Sequence, residues 1–137
     1  MVLFTSELTN NDTLTSISLH DNSTIEEGSK GLATALHANS TLTRISLSDN
    51  NIGNDGVKVL ANAIRVNSTI TEIYLRENKI GNEGGMALLE MLDLNDTVTT
   101  IDLDHNKIDG NIRSSINLAL ADNKNAPKGL RLSKCAG

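Results

Sequence analysis

One phrase returns four times at a spacing of 28 residues: "NDTLTSISLHDN" (11–22), "NSTLTRISLSDN" (39–50), "NSTITEIYLREN" (67–78) and "NDTVTTIDLDHN" (95–106). A fixed period of this length marks a stacked array, and it takes precedence over any local motif inside one unit. Within a unit, Ile45 and Leu47, like Ile73 and Leu75, are two apart and share one face of a short strand, while Arg44, Ser46 and Ser48 point the other way. Farther on, Val57, Leu60, Ala61 and Ile64 recur at helical spacing, as do Gly85, Leu88, Leu89 and Leu92. Strand, helix, strand in one direction predicts a parallel sheet with right-handed crossovers. A single unit cannot bury both apolar faces, whereas stacked units share a continuous core.

Each unit reads L-x-x-L-x-L-x-x-N-x-I with aliphatic substitutions, as in Leu42, Ile45, Leu47, Asn50 and Ile52. Over nearly the whole chain this resembles the leucine-rich repeat family, and a 28-residue unit with a full helix is similar to its ribonuclease-inhibitor-like subclass. The resemblance implies an α/β fold: a right-handed curved solenoid with parallel strands on the concave side and helices on the convex side. It also implies an asparagine ladder, Asn22, Asn50, Asn78 and Asn106, just after each strand. There the chain turns inward, and a side-chain amide offers both donor and acceptor to backbone groups without sheet partners. A second column, Asn11, Asn39, Asn67, Asn95 and Asn123, falls at the predicted helix ends, where asparagine tolerates a left-handed backbone. Thr13, Thr41, Thr69 and Thr97 are expected to start the strands.

The chain divides as one domain over 1–137, with a partial repeat at 1–10, repeats at about 11–38, 39–66, 67–94 and 95–122, and a C-terminal cap at 123–137. Phe4 and Leu8 align with Leu32 and Leu36, so the chain starts mid-repeat. End-to-end self-association is expected unless Val2, Phe4 and Leu8 cover that end. Ile112, Arg113 and Asn117 break the small or apolar pattern of the earlier helices, as a terminal cap should, and "GLRLS" (129–133) adds a short fifth strand one residue out of period.

Composition removes several classes of function. The net charge of −5 disfavours nucleic acid and anionic membrane as partners. No apolar run approaches the roughly 20 residues of a membrane span, and no basic, apolar leader opens the chain. Cys135 is the single cysteine, so no intrachain disulfide forms, and a cytoplasmic location is expected. The glycosylation motifs at Asn11, Asn22, Asn39, Asn67 and Asn95 are by-products of the repeat. "GNEGG" (81–85) lacks the Lys-Ser/Thr of a phosphate loop, and its glycines are expected to turn the chain and let the helix start pack closely. Asp102, Asp104 and Asn106 match the first ligands of a calcium loop, but Lys107 and Arg113 stand where glycine and glutamate are needed. His20, His37 and His105 lie too far apart in the array for a zinc site, and no nucleophile–base pair assembles. No metal, cofactor or catalytic activity is expected.

What remains is the outward face of the strands: Ser16, Arg44, Glu72, Thr100; then Ser18, Ser46, Tyr74, Asp102; then His20, Ser48, Arg76, Asp104. The resemblance implies protein binding on this concave face. Arg44, Glu72, Tyr74, Arg76, Asp102 and Asp104 are the candidate contacts, with Tyr74 as anchor. The expected function is a non-catalytic protein–protein interaction module. Similar units occur in NOD-like receptors, in tropomodulins and in Ran GTPase-activating protein. Activation of a partner GTPase is therefore one alternative, and a structural segment of a larger repeat protein is another.

Overall fold

A computed structural model of the protein describes residues 7–19 and 25–125. Strands β1 (Ser16–Ser18), β2 (Arg44–Ser46), β3 (Glu72–Tyr74) and β4 (Thr100–Asp102) alternate with helices α1 (Ile25–Ala38), α2 (Gly53–Arg65), α3 (Asn82–Leu94) and α4 (Gly110–Asn125). The strands form one parallel sheet in chain order, and Ile17, Ile45, Ile73 and Ile101 stand side by side across it. Each helix packs against the next. Packed helices sit about 8–10 Å apart and paired strands about 4.8 Å apart, so the stack bends with the sheet on its inner side. This is the predicted α/β solenoid.

The core is aliphatic and repeats in rows. Leu36, Ile64, Leu92 and Leu120 form one buried row on the helices, and Leu42, Ile70 and Val98 form another before the strands. A short helical stretch at 7–10 adds buried Leu8 to the same core. Leu89 is only partly buried, although the helical pattern placed it on the inner face. The glycine expectation holds most clearly at Gly84. A Cβ there would lie 2.6 Å from Ile80 Cγ2 and 2.7 Å from Val57 Cγ1, so only glycine lets α3 approach α2 this closely. The expectations on Val2, Phe4, His20, Asn22, Cys135 and the fifth strand at 129–133 lie outside the described residues. Among the described residues, no helix is long and apolar enough to cross a membrane.

Two strand limits differ from expectation. Arg76 and Asp104 lie beyond the strands, because the backbone turns left-handed directly after them, at Glu77 (φ 53°) and His105 (φ 59°). Thr41, Thr69 and Thr97 precede the strands by three residues. Thr41 and Thr97 use their hydroxyls on the preceding repeat instead, bonding the carbonyls of Leu14 (2.9 Å) and Ile70 (3.3 Å).

Of the first asparagine column, Asn50, Asn78 and Asn106 lie in the described residues and bond the preceding repeat. Asn78 Nδ2 donates to the carbonyl of Leu47 in the preceding repeat (2.8 Å), and its Oδ1 accepts from the backbone N–H of Asn50 (3.0 Å) and Ile52 (3.2 Å). Asn106 repeats the pattern on Leu75, Asn78 and Ile80. Asn50 donates to Leu19 in the same way.

The second asparagine column has a different role from the one expected. Asn95 adopts an extended backbone, φ −106° and ψ 124°, and none of Asn11, Asn39, Asn67, Asn95 and Asn123 is left-handed. Asn39, Asn67, Asn95 and Asn123 instead make a second, buried ladder. Asn67 Nδ2 donates to the carbonyls of Leu36 (2.8 Å) and Asn39 (3.0 Å), one repeat back, while Oδ1 accepts from Thr69 N–H and Ile70 N–H. Asn39 and Asn95 do the same, and Asn123 donates to Asn95 and Val98. At Asn39, Asn67 and Asn95 the nitrogen that a glycan would join is therefore buried and committed. A third column escaped the sequence reading: Thr43, Thr71 and Thr99 each donate their hydroxyl to the carbonyl of the threonine one repeat back.

Arg113 has a related task. Leu19, Leu47 and Leu75 each offer a carbonyl to the asparagine of the next repeat. No asparagine stands 28 residues after Asn106, and the carbonyl of Leu103 receives Arg113 Nη1 at 3.0 Å. The departure from the apolar helix pattern thus supplies the donor that a further ladder residue would have provided.

The second ladder is testable by a substitution that separates the two roles. For a left-handed cap, Asn67→Gly would be neutral or stabilising. As a ladder residue, Asn67→Gly and Asn67→Ala both strip partners from buried backbone groups. Each should destabilise by at least about 2 kcal/mol in urea denaturation, given roughly 1–3 kcal/mol per unsatisfied group. A glycine variant as stable as the parent would overturn the ladder role.

Candidate functional site

The inner sheet face presents side chains that the core does not use. Arg44 and Glu72 are direct neighbours on β2 and β3, and Tyr74 follows two residues after Glu72 on the same face. Tyr74 pairs with Ser46 on one side and Asp102 on the other. The small serine leaves room for Arg44 to lean across, and its guanidinium carbon sits 5.2 Å from the centre of the Tyr74 ring. Arg44 Nη2 donates to the Tyr74 hydroxyl at 3.1 Å, and that hydroxyl donates to Glu72 Oε1 at 2.8 Å. Arg44 Nε lies 3.6 Å from Glu72 Oε2 and completes the circuit. The Tyr74 hydroxyl, and then the Glu72 carboxylate, raise the pKa of Arg44 above its ordinary value. The tyrosine is only partly buried, yet its orientation is held from both ends.

The other three predicted contacts are not part of this cluster. Asp102 Oδ1 accepts from Asp104 N–H at 3.0 Å, which holds the turn after β4. Asp104 is drawn toward α4 by an ion pair with Arg113 at 3.3 Å. Arg76 is exposed on the turn after β3 and has no ion pair among the described residues. Six residues chosen as one patch therefore resolve into a locked triad, two turn carboxylates and one exposed cation.

A rim borders this face where the strands end. Asp49, Asn51, Glu77, Lys79 and His105 all have positive φ, and with Lys107 they line a hollow of about 350 Å³. The sequence reading missed this rim, because a column of Asp, Glu and His shares no residue class. No group of three or more His, Cys, Asp or Glu among the described residues is placed to hold a metal ion.

The comparisons with known proteins agree with this fold. A family model described as "Leucine Rich repeat" matches residues 38–61, 66–89 and 94–116, just over half of the chain. Among solved structures, the chain is similar to actin-binding site 2 of leiomodin-1, with 18% identity and a TM-score of 0.72, covering 88% of this chain and 87% of that one. It is also similar to the C-terminal domain of tropomodulin from Caenorhabditis elegans, with 13% identity and a TM-score of 0.60, covering 90% and 93%. At these identities the likeness is one of fold. A search of curated proteins finds no match.

The rim holds one carboxyl with a raised pKa, Glu77. A hydrogen bond to Asp49, and then the charge of Asp49, raise the Glu77 pKa, with His105 and Arg76 opposing. A carboxyl whose pKa is raised by folding stabilises the folded state at acid pH, and that contribution fades as pH rises through the raised value. Glu77→Gln keeps a hydrogen-bonding side chain and removes the titration. It should leave stability at pH 7 unchanged or slightly higher, and flatten the stability profile above about pH 4, the ordinary glutamate range. Thermal melts across pH 3.5–7 (about the carboxylate range) check this, and a profile unaltered by the substitution would contradict it.

Proposed function

We infer the function from one premise: the chain belongs to the leucine-rich repeat family. It is a protein-interaction module, and we propose that it binds its partner on the inner sheet face without catalysis, in the cytoplasm. The observation behind this reading is the circuit of Arg44, Tyr74 and Glu72. An aromatic ring with a polar tip is held in one orientation on a rigid sheet, so little side-chain entropy is lost on binding. Arg76 lies two residues after Tyr74 and offers a charge-assisted hydrogen bond to a carboxylate on the partner. Asp102 and Asp104 set the electrostatic fit at the β4 side.

Actin is the first partner to try, because the structurally similar domain of leiomodin-1 is an actin-binding site. Tyr74→Ala should weaken partner binding about 30-fold, equivalent to roughly 2 kcal/mol. Folding should change little, because of the bonds it removes one is exposed and the other only part-buried. The control is Lys30→Glu on α1, which should leave affinity within about twofold. Co-sedimentation with filaments and titration with monomeric actin supply the readout. Loss of binding in Lys30→Glu with Tyr74→Ala intact would sink the inner-face reading. Stimulated GTP hydrolysis on adding the chain to a candidate GTPase would favour the activator alternative.

A further inference from the structure

The helical side of the molecule presents a second surface, a groove of about 660 Å³ between α2 and α3. Its floor is formed by the small Ala61 and Ala87 together with buried Met91. Met86 and Leu94 rise along it, exposed by 42% and 69% although both are large and apolar. The charges on its two flanks are segregated. Lys58 and Arg65, seven residues apart, line the α2 side, and Glu83 and Glu90, also seven apart, line the α3 side. Lys58 and Glu83 pair across one end at 3.2 Å. At the other end Arg65 and Glu90 have no ion-pair partner among the described residues. The groove between α1 and α2 lacks this arrangement: Lys30 and His37 line one side, Val59 and Asn62 the other, with no carboxylate.

We propose that the α2–α3 groove docks an amphipathic helix from a protein partner. Its apolar stripe lies on Ala61, Ala87 and Leu94, its acidic flank faces Arg65, and its basic flank faces Glu90. The spacing fits this occupant. Seven residues of helix span about 10 Å, so a bound helix of two heptads reaches from the Lys58–Glu83 pair at one end to Arg65 and Glu90 at the other. An extended strand would find no free sheet edge here, because both walls are helices with satisfied backbones. The opposite charge of the two walls also sets polarity, since a helix with its flanks exchanged meets like charges on both sides.

The test uses two synthetic helical peptides of identical composition, both with a leucine stripe. One has glutamates on the flank meant for α2 and lysines on the flank meant for α3; the other has them exchanged. Fluorescence anisotropy on the intact chain should show the matched peptide binding about tenfold tighter at low salt, with the difference shrinking as salt is raised. The Arg65→Glu/Glu90→Arg double variant, changed at two exposed positions, should reverse that preference with an unaltered thermal melt. Tyr74→Ala should leave both affinities unchanged, which separates this surface from the inner face. Equal affinity for the two peptides, binding by neither, or an unreversed preference in the double variant would each overturn the proposal.

Discussion

Every turn in this fold must satisfy backbone groups that the sheet does not reach. A strand of three residues pairs only a few of them, and the chain then dives toward a helix through the interior. Unpaired, each such group would cost about 1–3 kcal/mol. The protein meets this cost with side chains that recur every 28 residues and bond one repeat back. Asn50, Asn78 and Asn106 serve the turn after each strand. Asn39, Asn67, Asn95 and Asn123 serve the turn before the next one, and Thr43, Thr71 and Thr99 join neighbouring strand entrances. A repeat therefore has its own backbone satisfied by the one that follows, which makes the unit of folding the stack and not the repeat.

That dependence explains what was legible beforehand. A side chain that must meet the same backbone group in each repeat cannot vary, so the period and the sheet register follow directly from aligned residues. The register Ile17, Ile45, Ile73, Ile101 is the 28-residue step itself. The first asparagine column was readable because the resemblance to leucine-rich repeats implies a ladder just after the strand. The second was visible as a column yet misassigned, since an asparagine at a helix end suits a left-handed cap as well as a ladder. The backbone angles, together with the carbonyls of Leu36 and Ile64 31 residues back, separate the two. The role of Arg113 was not read, because its acceptor, the Leu103 carbonyl, lies just after β4 and not on its own helix.

The candidate site was harder to read for a related reason. Tyr74 stood out as the single tyrosine, and Arg44 opposite Glu72 follows from register. The bond from Arg44 to the Tyr74 hydroxyl is diagonal, 30 residues apart, and depends on how far an arginine leans over a serine. Strand alternation cannot supply that. It also predicted an outward Asp104, and the residue is outward, but its charge is partly spent on Arg113. Chemical type and face were therefore readable, while the grouping of side chains into working units was not.

The same division locates where partner recognition can evolve in such a chain. Columns that serve the backbone are held to asparagine, threonine or a packed aliphatic residue. Columns that face solvent carry no such demand, and their chemistry changes from one repeat to the next. On the inner face, the column through Arg44 continues as Glu72 and Thr100. On the helices, Lys30 and Lys58 give way to Met86, and His37 and Arg65 to Asp93. A stack built from near-identical backbones thus acquires a distinct charge pattern on each side without altering a single ladder bond. Because the ladders hold those side chains on short, regular elements, a change of one residue repositions charge without repositioning the scaffold, so specificity can be tuned apart from stability.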